Sequence, residues 1–278
     1  MQDAFAYCAE LVRAADRDRF LGTLFAPEPH RRALHALYAF DIELARVREA
    51  AREPLPGEMR LQWWSEARSG ERSAEARANP VAAALFDVVK SHDLPPQRLN
   101  AMVEVRRFDI YDEPMASMAD LKAYARNTST ALIELAAQVL SGEQAAAAAE
   151  PAGIASGLVA VMRALPVHAA RRQDYVPVEV LQRHGAEPRD LYSGRATAGL
   201  KSALAELRAV AREHLEAART QLVHIPAAAL PAFLPVSLVR PFLDRLDRSD
   251  PFAPADISPW RRQWLIWRAA RAPARIAG

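Results

Sequence analysis

Almost every segment of this chain repeats its apolar residues three or four positions apart, and none alternates them in twos. That spacing sets apolar side chains on one face of an α-helix and offers no face on a period of two for a sheet to bury. In DAFAYCAELVRAADRDRFLGTLF the stripe is Phe5, Cys8, Leu11 and Val12. In PHRRALHALYAFDIELARVREAARE it is Leu34, Leu37, Tyr38, Ile42 and Ala45. Only 10 glycines occur in 278 residues, in a chain rich in alanine and arginine with few β-branched runs, which again favours helices. The expected fold class is all-α: one helical bundle of eight or more helices, a single domain over residues 1–278.

Local signals divide the chain. Pro27 and Pro29 mark a turn, and Pro54, Pro56 and Gly57 are expected to end the second helix. EMRLQWWSEARSGER reads as a third helix, NPVAAALFDVVKSHD as a fourth and PPQRLNAMVEVRRFDIYDEP as a fifth. Ser117 fits an N-cap and Gly142 a stop for the helix between them. A further helix, PAGIASGLVAVMRALPVHAARR, has Pro166 inside it, where a kink is expected. An irregular piece follows, then a long helix over roughly 195–222 and a final one in SPWRRQWLIWRAARAP.

Composition removes several classes of function. With 51% hydrophobic and 25% charged residues the chain is neither disordered nor fibrous. A net charge of +2 makes no demand for nucleic acid, and none is expected. The one cysteine, Cys8, excludes an internal disulfide and a cysteine-based zinc site. No Gly-rich phosphate loop and no Gly-x-Ser-x-Gly occurs, and the histidines show no i, i+4 pairing. The start has no basic stretch followed by an apolar one, so no secretory signal is expected. LPAFLPVSLV at 230–239 is too short and proline-broken for a membrane span. The expected location is the cytoplasm, with peripheral contact at the inner membrane left open.

Four stretches, ALHALYAFDIELARVRE, MRLQWW, FDIYD and GLVAVMRALPVHAARRQDYVP, together resemble the squalene/phytoene synthase family, over roughly residues 15–270. The resemblance implies the isoprenoid synthase type of helical bundle, in which two prenyl diphosphates are joined head to head. It also implies two aspartate-rich helical motifs that hold Mg²⁺ on the leaving diphosphate, a hard cation on oxygen ligands. In the first motif Tyr38, Ala39 and Phe40 match, and Asp41 and Ile42 replace a Cys-Arg pair. The two aspartates fall on Ala45 and Glu49. In the second, Met162, Arg163, Arg171, Tyr175, Val176 and Pro177 align, whereas the asparagine falls on Ala160. The acidic positions fall on Ala164, Val167 and His168. Of five acidic positions, Glu49 alone stays acidic.

Alanine ligates nothing, histidine offers nitrogen to a cation that prefers oxygen, and one glutamate cannot hold two or three Mg²⁺ ions. The catalytic positions Ala45, Glu49, Ala164 and His168 are therefore read as degenerate. No metal or other cofactor is expected, and Mg²⁺ enters only if the chain is after all a prenyltransferase, with Glu49 as its remaining metal candidate. Arg163, Arg171, Tyr175 and Tyr38 are the candidates for a phosphate or substrate site, Arg172 lying beside them. The chain is also similar to a branch of the family with eroded aspartates, an assembly factor of respiratory complex I and its bacterial relatives. That similarity implies a non-catalytic role with complex I subunits or assembly proteins as partners. Two alternatives stay open: an active prenyltransferase, and a protein that binds an isoprenoid or lipid without chemistry.

The remaining charges have plain readings. Asp41, Glu43 and Glu49 are expected as helix charges salt-bridged or solvated beside Arg46 and Arg48. Asp109, Asp112 and Glu113 are expected to end a helix before Pro114, and Trp63 and Trp64 to pack. The C-terminal helix, about 258–275, interleaves Trp260, Trp264 and Trp267 with Arg261, Arg262, Arg268, Arg271 and Arg275. It either packs its tryptophans on the bundle or contacts a membrane surface through Trp260, Arg261, Trp264, Trp267 and Arg268.

Overall fold

A computed structural model describes residues 3–28, 30–50, 53–69, 71–111, 113–142, 145–272 and 276–277. Every regular element among them is helical. The chain forms two compact units, each assembled from separate stretches. One comprises Met1–Tyr111, Ala131–Ala146 and Ile225–Pro235; the other comprises Asp112–Thr130, Ala147–His224 and Val236–Gly278.

The first unit is organised on the helix His30–Ala45. Every residue from Ala33 to Ile42 is buried, because the helices Ala4–Ala15, Pro80–Ser91 and Ala131–Ser141 pack around it. A helix covered on all sides needs an apolar surface on all sides. Its polar insertions, His35 and Asp41, must therefore find partners within the protein. The first long stripe is two helices, Ala4–Ala15 and Arg17–Thr23. Asp16 joins them, its carboxylate accepting the Arg19 backbone N–H at 3.0 Å. Pro54 and Pro56 do not stop the second helix. They open the next one, Pro54–Ser69, where a missing N–H costs nothing. Trp64 is buried edge-on to Phe40 and Trp63 is half-buried.

In the second unit the long helix Ala198–Leu222, capped by Thr197, packs on Val178–Arg183 and Val239–Arg248. The helix Met118–Ala125 starts at a Ser117 capping box. It continues as one π-helical turn, Arg126–Thr130, and leads into Ala131–Ser141, which ends at Gly142 with φ +76°. Against that π turn lies Gly153 of the helix Ala146–Arg163. A Cβ there would come within 2.4 Å of the Thr130 Cα, so only glycine permits the approach. The apolar stretch Ala227–Arg248 has the length and hydropathy of a membrane span, but 61% of its most apolar window is buried and it is broken into short helical pieces. It reads as core.

Candidate functional site

The first motif is interrupted. The helix His30–Ala45 ends at Ala45, Arg46 makes a turn, and Glu49 lies on a separate short helix, Val47–Ala50. Two carboxylates at i and i+4 share a face only if the helix runs through both. Here the turn falls between the two positions, and both Ala45 and Glu49 are exposed.

One turn earlier the same helix carries a closed charge cluster. Asp41, 6% exposed, accepts from Arg19 Nη1 at 2.8 Å and from Arg106 Nη2 at 3.0 Å. Arg106 Nη1 also donates to Asp109 Oδ2 at 3.1 Å, and Arg19 reaches Asp16 at 2.9 Å. Burial pulls the Asp41 carboxyl upward; Arg19 and Arg106 outweigh it and leave it below its ordinary value. Burial likewise holds the buried Tyr38 phenol above its ordinary value, against the pull of Arg19, whose guanidinium stands 5.6 Å from the ring centre.

The expectation that Asp41 would be paired along its own helix, beside Arg46 and Arg48, is corrected: its partners come from two other segments. Glu43 pairs with Arg60 at 3.0 Å. Asp109 is buried against Arg106, and Asp112 lies outside the described residues. Sequence reasoning missed the Asp41 cluster. Its signal was an acid flanked by Leu37, Tyr38 and Leu44 at helical spacing, on the stripe that packs.

The second motif is also interrupted, at the proline. The helix ends at Arg163, Ala164 forms a turn, and Leu165–Ala170 begins with Pro166 in its first turn. The missing N–H and the ring clash with the preceding turn explain a break at this place. Ala164 and His168 are half-buried and Val167 is exposed. The His168 ring stacks on Tyr175 at 4.3 Å, and Tyr124 meets Tyr175 edge-on at 5.5 Å. Tyr175, Val176 and Pro177 are buried.

Arg163 stacks on Phe242, 3.6 Å from the ring centre, and stands 3.9 Å from Asp256. Arg262 lies 5.4 Å from the same ring and pairs with the same carboxylate. Arg171 and Arg172 are exposed, Arg172 5.9 Å from the ring of Tyr192. Within the second unit the structure thus gathers His168 and Tyr175 in one aromatic group and places Arg163 in another, with Phe242.

The family's Mg²⁺ does not fit the residues present. Ala45 and Ala164 carry no donor, and Glu49 is exposed beyond a turn. His168 offers nitrogen from a ring stacked face to face with Tyr175. Among the described residues no three of His, Cys, Asp and Glu gather as a metal site.

The final helix is Pro259–Arg271. Its buried residues are Leu265, Ile266 and Ala269, and its tryptophans are exposed, Trp260 most of all. Packing of those tryptophans on the bundle is thereby corrected. Arg275 lies outside the described residues.

The sequence profile of the squalene/phytoene synthase family matches residues 12–268. A NADH dehydrogenase (ubiquinone) complex I assembly factor 6 from Rattus norvegicus is 32% identical over 250 residues, covering 89% of this chain and 75% of that protein. A phytoene synthase from Thermus thermophilus is 26% identical, covering 96% of this chain and 94% of that one. The crystal structure of a dehydrosqualene synthase superposes with a TM-score of 0.84 at 17% identity, covering 97% of this chain and 96% of the other. Helical architecture, motif frame and profile agree, and the chain belongs to the squalene/phytoene synthase family.

Proposed function

We propose that this chain is a non-catalytic member of its family that serves the assembly of respiratory complex I, with subunits or assembly proteins of that complex as its partners. The observation that carries the proposal is the loss of side-chain oxygens at four of the five acidic positions, with the fifth, Glu49, separated from Ala45 by a turn. Ionising a prenyl diphosphate leaves several negative charges that must be neutralised in a site of low dielectric. Similarity supports the same reading: identity is 32% to a complex I assembly factor and 26% to a phytoene synthase.

Deleting the gene in its host and measuring assembled complex I on native gels tests the proposal. A reduced complex is expected, and a normal amount overturns it. Incubating the purified protein with farnesyl or geranylgeranyl diphosphate and Mg²⁺ is the complementary assay. No diphosphate release is expected; release that disappears in Glu49→Gln establishes a prenyltransferase instead. Retention of Arg163, Arg171 and Tyr175 favours a second reading, carriage of an isoprenoid without chemistry. Mass spectrometry of lipid extracted from the purified protein distinguishes it.

A further inference from the structure

We propose that the outward face of the Pro259–Arg271 helix is a docking surface for an anionic lipid bilayer. Trp260, Trp264 and Trp267 are 82%, 51% and 47% exposed. At about 100° per residue they fall within a stripe about 60° wide. Leu265, Ala269 and Ile266 lie on the opposite side of the helix and are at most 6% exposed. The helix is thus already seated on its own protein by one apolar face, and it presents a second face of three indoles to water. Tryptophan is the side chain best suited to the boundary between acyl chains and headgroups, where the ring is buried and the N–H stays wet.

Charge decides the occupant. The helix carries Arg261, Arg262, Arg268 and Arg271 and no acidic residue. Arg262 points to the protein side, where it is paired with Asp256. No carboxylate among the described residues pairs with Arg261, Arg268 or Arg271. Arg268 and Arg271 instead lie over the tryptophans, each 4.7 Å from a ring centre, Arg268 on Trp264 and Arg271 on Trp267. Guanidinium groups held beside indoles sit at the headgroup level when the indoles enter the bilayer. A partly exposed aromatic row edged by unpaired positive charge, with no negative charge in it, complements the anionic surface of a membrane. The surface does not depend on the motif residues or on the assembly role.

Sedimentation of the full chain with vesicles tests this, using phosphatidylcholine alone and phosphatidylcholine mixed with phosphatidylglycerol. Binding is expected to the mixed vesicles, weaker binding to the neutral ones, and release as salt rises. Changing Arg261, Arg268 and Arg271 to glutamine is expected to weaken binding about fivefold per charge, so about a hundredfold together. Trp260→Ser, Trp264→Ser and Trp267→Ser combined is expected to abolish it, with the thermal unfolding midpoint unchanged because these side chains are exposed. A wild-type protein that stays in the supernatant with mixed vesicles overturns the proposal, as a protein occupant of this face would predict. So does either triple variant that binds as the wild type does.

Discussion

Asp41 and Arg163 each stand in one of the two motif stretches, and their surroundings differ in burial and in sign. Around Asp41 three carboxylates, Asp16, Asp41 and Asp109, are answered by Arg19 and Arg106, and Asp41 itself is 6% exposed. Around Arg163 two guanidinium groups share the ring of Phe242 and one carboxylate, Asp256, whose side chain is 66% exposed. A buried ion pair feels a low dielectric, and removing one partner strands the other. An exposed pair is screened by water and holds little energy. The stretch around Asp41 is therefore a structural joint closed on a buried carboxylate, and the one around Arg163 is a positive patch whose shared carboxylate, Asp256, stands in water while Arg262 is itself largely covered.

The largest test of that contrast is Asp41→Ala, expected to cost about 3–5 kcal/mol because Arg19 and Arg106 lose their shared acceptor. Denaturant unfolding measures it, and a loss under about 1 kcal/mol would erase the distinction between the two stretches.

A pH titration of stability sharpens it. His35 is buried, stacked on Phe20, with its Nε2 2.9 Å from the Thr23 hydroxyl. That hydroxyl donates to the Phe20 carbonyl at 2.7 Å, so it accepts from His35, which is the Nε2–H tautomer. Burial first, and Arg31 second, lower the His35 pKa from 6.5 to about 4. The unfolded chain binds this proton more readily, so the contribution is complete above pH 6.5 and is lost as pH falls from 6.5 to 4. Asp41, whose carboxyl is also lowered, adds a second loss further into acid, as pH falls through its folded value. Thermal midpoints across this range are expected to fall, and His35→Gln is expected to remove the earlier part of the fall.

Arg163→Leu is expected to cost about 0.5–2 kcal/mol, the worth of one cation–π contact. Asp256→Asn is expected to change stability by no more than about 0.5 kcal/mol. A cost for Asp256→Asn as large as that for Asp41→Ala would mean that the second stretch is a joint as well.

Much of this was legible in the residues. Helical spacing gave the fold class, and Ser117, Gly142 and Pro166 marked boundaries that the structure keeps, because caps and prolines act within a turn of where they stand. The prolines at 54 and 56 were ambiguous for the same local reason: a proline ends one helix as readily as it begins the next. The charges were less legible. Asp41 has arginines nearby in sequence, yet its partners lie 22 and 65 positions away. The tryptophans of the last helix had two faces open to them, and period alone does not say which face the protein covers.

The sequence by itself determined that this chain is a helical member of its family and that four of five acidic positions have lost their carboxylates, since both follow from residue identity at fixed spacing. Only the tertiary structure decided that Asp41 is locked between Arg19 and Arg106 and that Trp260, Trp264 and Trp267 face outward. Those outcomes depend on which distant segments meet, and burial and pairing are properties of that meeting rather than of local order in the chain.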